Sequence, residues 1–270
     1  MALPDGFSKT ASNATKPAWP VHLLLALTVV AAVASLLVPA QQSQPADAFM
    51  LALAVCASVA ILARTLPLQS VLFAAFITAL IGGAAHGLSA HTGLPFGPLS
   101  FGEQSGPQLF NTVPWTVPLI WVVAIFNSRG VVRLLLRPWR KVKNYGILLM
   151  ALTALLALIF DFALEAFARA KHLWLWQPTK ITVTWFGASP LAFLGWAFVS
   201  GIILAVVMPY LIRKQPGNPS APDFAPLFLW LGALALFGVN AALAQAWAAV
   251  GVDSISAVVI AALCWRGAKW

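Results

Sequence analysis

Eight stretches of this chain, from fourteen to twenty-three residues long, hold mostly apolar side chains. Six of them are about the length that crosses the roughly 30 Å hydrocarbon core of a bilayer as a helix, and those near 113–127 and 252–265 are shorter. The eight fall near residues 21–39, 46–63, 70–88, 113–127, 145–164, 190–212, 225–246 and 252–265. Lipid offers no partner for backbone N–H and C=O groups, so spans of this length must satisfy them internally as α-helices. Composition agrees: 61% of the 270 residues are apolar and 9% charged, against roughly 25% charged in soluble domains. The expectation is an all-α polytopic integral membrane protein: a tail over 1–20, then a single transmembrane domain over 21–270. No short-period repeat or second domain is visible.

The net charge of +9 is distributed along the membrane rather than gathered as a nucleic-acid footprint. With the N-terminus in the cytoplasm, 13 of the 16 basic residues fall on one side, and only Arg169, Lys171 and Lys180 on the other. Positive-inside asymmetry therefore predicts eight spans with both termini cytoplasmic and outer-side loops at 88–112 and 165–189. It also predicts a basic cytoplasmic segment at 128–144, with RLLLRPWRK (133–141) as an interfacial amphipathic helix facing anionic headgroups. A bacterial cytoplasmic membrane is the expected location. Nucleic acid is not an expected partner. Cys56 and Cys264 lie inside spans and form no CxxC motif, so neither a disulfide framework nor a redox pair is expected.

The segment from His86 to Trp121, HGLSAHTGLPFGPLSFGEQSGPQLFNTVPWTVPLIW, carries most of the potential chemistry. Five glycines between Gly87 and Gly106 and prolines at 95, 98, 107, 114 and 118 forbid a continuous helix. Phe96 and Phe101 stand among these breakers, with His86, His91 and Glu103 nearby. Apolar, Pro-stiffened sequence of this kind predicts a loop folded back onto or into the membrane domain. Upstream, Gly82, Gly83, Ala84 and Ala85 allow another helix to approach closely. His86 is either a satisfied structural donor or a catalyst. His86 and His91 are five apart across a glycine, a poor metal-binding face, so no metal site is predicted.

Span five ends with Asp161, Glu165 and Arg169 spaced four apart on one helical face. Carboxylates at the edge of hydrocarbon mark function unless they are paired. A Glu165–Arg169 ion pair is the expected structural role for Glu165. Asp161 lies deeper and has Ala157 rather than a cation one turn before it, which suits the uncharged acid needed for proton donation. The following KHLWLWQPTKITVTWFG (171–187) holds Trp174, Trp176 and Trp185, read either as an interfacial aromatic belt or as a pocket wall able to stabilise a cation. Asn240 and Gln245 in span seven are expected to bond neighbouring helices.

TGLPFG (92–97) followed by VPWTVPLIW (113–121) resembles the membrane family of carotenoid biosynthesis proteins, whose characterised members are carotenoid hydratases. Asp161 with Trp174 and Trp176 fits the same pattern, as does Phe186-Gly187 leading to Gly195-Trp196, so that the resemblance covers about 84–209. The chain departs from the pattern at His86, where the family has an acidic residue, at Leu99 and Phe101, where it has tyrosines, and at Ala192, where it has Asn. The resemblance implies acid-catalysed addition of water to a terminal isoprenoid double bond without a cofactor. Asp161 would be the acid, and Glu103, His86, His91 or Glu165 would position or deprotonate water. Pro95, Phe96, Gly97, Phe101, Trp115, Trp174, Trp185 and Trp196 would line the slot for a long apolar isoprenoid, carotenoid or quinone-like.

The chain lacks a GxSxG elbow, a P-loop and an HExxH helix. A different class of function also fits its apolar frame: a non-catalytic subunit of a membrane complex that binds carotenoid, quinone or lipid. A transporter is a third class, poorly supported by so few charges inside the spans.

Overall fold

The computed structural model describes residues 18–38, 42–178, 181–212 and 221–270. The tail up to residue 17, residues 39–41, residues 179–180 with Lys180, and residues 213–220 with Arg213 and Lys214 lie outside the described residues. Among those described, eight helices are long and apolar enough to cross a membrane. They are α1 (Trp19–Leu37), α2 (Gln44–Ala63), α3 (Leu68–Thr92), α4 (Thr116–Leu135), α5 (Tyr145–Ala170), α6 (Pro190–Val207), α7 (Ala225–Leu243) and α8 (Trp247–Ala268). The chain is an integral membrane protein of the all-α class.

The helices alternate in direction. At one end, here the loop end, Lys171 meets Ser43 and a Cβ on Gly106 would lie 2.7 Å from Gln44. At the other, Arg64 pairs with Asp223 at 3.5 Å, and Gly267 packs against the Leu134 carbonyl. The basic segment after α4 lies at this second end, where α1 begins and α8 finishes.

α4 is the central helix: 78% of its most apolar stretch is buried inside the protein, against 17% for α1 and 22% for α8. It also has the lowest mean hydropathy of the eight, 1.4, because a helix surrounded by protein tolerates polar residues that lipid would not. For that reason it does not stop at Asn127 but continues to Leu135. Asn127 donates to Ser58 Oγ and to the Val123 carbonyl, both at 2.8 Å, and Trp230 donates to Ser128 Oγ at 3.2 Å. Arg129, expected at the headgroups, is instead 2% exposed and donates to the Leu211 carbonyl. In place of a long interfacial helix, a single 3₁₀ turn forms at Arg137–Trp139.

α5 likewise runs six residues beyond its predicted end, so Glu165 and Arg169 belong to the helix and the following loop starts at Lys171. α8 starts earlier than predicted, at Trp247, with Asp253 turned inward beside Gly238.

Among the described residues, four short strands lie between the helices at the loop end: β1 (Leu99–Phe101), β2 (Gln108–Leu109), β3 (Val113–Pro114) and β4 (Trp174–Trp176). β1 pairs antiparallel with β4, Leu99 opposite Trp176 and Phe101 opposite Trp174; β2 pairs with β3. The β1–β4 ladder joins the Pro-rich loop to the Trp-rich loop.

Candidate functional site

α3 ends where Gly93 adopts a left-handed conformation (φ 75°) and its N–H closes onto the Ser89 carbonyl at 2.8 Å. The chain then doubles back. Phe96 N–H donates to Ser89 Oγ (3.1 Å), and the same hydroxyl donates to the Gly97 carbonyl (2.8 Å), so one serine satisfies the backbone of a re-entrant turn. Gly195 makes room for it: a Cβ there would stand 2.7 Å from both the Phe96 ring and the Pro95 carbonyl oxygen. Phe96 is fully buried, and the loop folds into the helical domain as its apolar, Pro-stiffened sequence requires.

Phe96 lands beside His86, with ring centroids 4.4 Å apart. Trp121, Trp196 and Trp174 surround the same imidazole at 5.9, 6.0 and 6.4 Å. Trp121 and Trp196 stack at 3.8 Å with 14° between their planes, and a Cβ on Gly82 would overlap the Trp121 indole. The Trp121 Nε1 lies 3.1 Å from His86 Nδ1, which is also 3.2 Å from the Gly82 carbonyl. One nitrogen cannot accept from the first and donate to the second. The buried indole N–H has the stronger claim, because the Gly82 carbonyl lies in helix where a backbone N–H serves it, and an orphaned buried donor is costly. Nδ1 is then the acceptor, and the hydrogen of the neutral ring sits on Nε2. His86 is thereby an N–H donor inside an aromatic box rather than a base.

One carboxyl of α5, Glu165, adjoins this box through Trp174, and Asp161 lies one helical turn before it. Glu165 is 1% exposed and Asp161 fully buried. Glu165 Oε2 accepts from Trp176 Nε1 at 2.7 Å and from Trp174 Nε1 at 3.2 Å. The predicted Glu165–Arg169 pair is replaced: Arg169 turns to the Phe186 carbonyl at 3.5 Å, because β4 brings two indole donors to the carboxylate from the loop. Neither oxygen of Asp161 has a hydrogen-bond partner among the described residues.

A cavity of about 540 Å³ runs between α1, α2, α4, α5 and α7. Phe160, Leu164 and Phe167 border it from α5, one helical face away from Asp161 and Glu165. Trp174 is the residue the two regions share: it lines the cavity and bonds Glu165. The loop end of the cavity is polar, with Gln44, Asp47, Gln104, Ser105 and Thr116. There Lys171 Nζ lies 3.4 Å from Asp47 Oδ2 and donates to Ser43 Oγ at 2.8 Å. Ser43 Oγ donates to Asp47 Oδ2 at 2.7 Å, and Ser35 donates to Oδ1.

A family model described as "Carotenoid biosynthesis protein" matches residues 46–261. The chain belongs to the carotenoid biosynthesis protein family. Curated proteins and solved structures yield no match. In this family member, the elements that carry the sequence resemblance converge: the re-entrant TGLPFG turn, Trp121, Trp174, Trp176 and Trp196 all border His86 or Glu165.

Other predicted site residues stand apart. Glu103 is exposed on a 3₁₀ turn, and His91 is exposed on the last turn of α3, 3.4 Å from Thr112 Oγ1. Trp185 donates to the Phe162 carbonyl at 2.9 Å within a separate stack of Phe162 on Phe193. Trp115 is half-buried beside Gly106. Phe101 lies half-buried opposite Trp174 in the β1–β4 ladder, and Gly97 adopts φ 113° with Trp176 nearby. Asp47 and the buried position of Lys171 escaped the sequence, as did the Trp121–His86 bond. Asp47 did carry a signal, being an acid four residues inside an apolar helix.

Proposed function

We propose that this carotenoid biosynthesis family member adds water across a terminal double bond of an acyclic-ended isoprenoid. What supports this is the union of a fully buried carboxyl, without a hydrogen-bond partner among the described residues, with an aromatic box. Asp161 lies one turn from Glu165, whose own oxygen is fixed by two indoles, one of which, Trp174, is on the wall of an apolar cavity. In its acid form Asp161 donates a proton to the less substituted alkene carbon, and the π electrons form the new C–H bond. The tertiary cation left behind is stabilised by indole faces. A water oxygen attacks it, and the proton that water loses returns to a carboxylate of the pair. Glu165 holds Trp174 and Trp176 in place, and the Nε2 hydrogen of His86 orients an acceptor within the box. No redox step is required. Expression in cells that accumulate an acyclic-ended carotenoid, followed by chromatography and mass spectrometry, tests the assignment: a product heavier by one water supports it, and unchanged pigment refutes it.

One observation favours a second function, holding an isoprenoid without transforming it. Trp174 stands between the carboxyl pair and the cavity, so a chain in the cavity meets apolar walls rather than Asp161. Recovery of bound isoprenoid from protein purified in mild detergent, with no hydrated product in cells, would select the holding function.

A further inference from the structure

The cavity is elongated. On α1 it extends from Leu25 to Leu36 and on α7 from Phe228 to Val239, which at 1.5 Å per residue is about 17 Å of helix. That is over half of the roughly 30 Å of hydrocarbon in a bilayer. Nearly all of this length is aliphatic or aromatic, whereas the polar side chains gather at the loop end, around Asp47, Gln44 and Gln104. Such a groove matches a chain with one polar terminus lying along the helices.

The polar end also selects the kind of head group. Lys171 is already neutralised by Asp47 and bonded to Ser43, so a phosphate entering here would meet the Asp47 carboxylate instead of an unspent cation. A hydrocarbon terminus would desolvate Asp47 and two amides without replacing their hydrogen bonds. A hydroxyl can donate to the carboxylate and accept from an amide N–H. Resting on the isoprenoid assignment above, we infer that the groove takes one extended isoprenoid alcohol, with its hydroxyl at the loop end bonded to Asp47 and flanked by Gln44 and Gln104. That places the hydroxylated terminus at the end of the groove where Trp174, whose indole bonds Glu165, forms part of the wall.

Quenching of tryptophan fluorescence in the full-length protein in nanodiscs provides the test, with geranylgeraniol, its deoxy hydrocarbon and its monophosphate as probes. The alcohol should bind roughly tenfold or more tightly than the hydrocarbon, the scale of one hydrogen bond to a charged group, and more tightly than the monophosphate. Gln44→Leu with Gln104→Leu should shrink the preference for alcohol, weakening alcohol binding and relieving the desolvation penalty on the hydrocarbon. Gly232→Phe should abolish binding of all three: Gly232 lines the groove, and a Cβ there meets nothing within 4 Å, so the ring fills the passage without disturbing the helix. Equal affinities for alcohol and hydrocarbon, tighter binding of the monophosphate, no binding by any probe, or full binding by Gly232→Phe would each overturn the inference. The readout needs no turnover. Alcohol preference without hydration in cells leaves this inference standing and removes the hydratase, and hydration without alcohol preference does the reverse.

Discussion

Trp176 and Glu165 are eleven residues apart in sequence and 2.7 Å apart in space, indole Nε1 to carboxylate Oε2. With Trp174 on the same oxygen, this bond fixes the Trp-rich loop to α5. Trp176→Phe keeps a ring and removes the donor, so thermal unfolding in detergent should show a loss of about 1–3 kcal/mol. Glu165→Ala deprives two indoles of their acceptor and should cost more than Trp176→Phe. Equal melting temperatures for wild type and Glu165→Ala would show that the bonds do not stabilise the fold.

Asp161→Asn separates chemistry from folding. Its carboxyl has no hydrogen-bond partner to lose among the described residues, so expression and pigment retention should stay near wild type. Hydration should fall by about a hundredfold to ten-thousandfold, the usual contribution of a general acid. Cell pigment profiles measure this directly, and a variant that hydrates normally removes Asp161 from the mechanism.

The Asp47–Lys171 pair is predicted to behave as a unit. Its side chains are 15% and 4% exposed, and breaking a buried pair from one side costs roughly 3–5 kcal/mol. Lys171→Met alone should lower the melting temperature sharply, and adding Asp47→Asn should restore part of the loss. Additive losses in the double variant would argue against coupling.

Two glycines in α6 should respond oppositely. Gly195→Ala pushes a methyl into the Phe96 ring and the Pro95 carbonyl and should destabilise by about 1–3 kcal/mol, with reduced yield. Gly201→Ala meets nothing within 4 Å and should be neutral or stabilising. Yield and melting temperature of the two variants, measured side by side, decide the matter.

The basic residues predict an orientation in the membrane. Reporter fusions after Lys143 should read cytoplasmic, and fusions within 98–108 external. An external signal at Lys143 would put the aromatic box in the opposite leaflet.

The eight spans and the re-entrant loop were legible because their signals are local: runs of apolar residues, and prolines and glycines that forbid helix. Span ends were less so. Asn127, Arg129 and Asp253 look like boundary residues in sequence, but interior partners and small neighbours let the helices carry them inward. The partner of Glu165 was misread because helical periodicity pointed to Arg169, whereas the indoles arrive through a strand whose register depends on β1, some seventy residues earlier. Ser43 and Lys171 meet across 128 residues, a distance at which no periodicity reports. His86 lies within α3, six residues before its end at Thr92, and its confinement by Phe96, Trp121, Trp174 and Trp196 arises from four separate elements.

The β1–β4 ladder makes the two large loops one mechanical part. Gly102 N–H to the Leu173 carbonyl (2.9 Å) and Gln177 N–H to the Pro98 carbonyl (3.0 Å) extend the bonding beyond the paired strands. Displacing the Pro-rich loop therefore drags Trp174, and Trp174 is at once a wall of the groove and a ligand of Glu165. A molecule that displaced this wall would pull on Glu165 through the Trp174 bond.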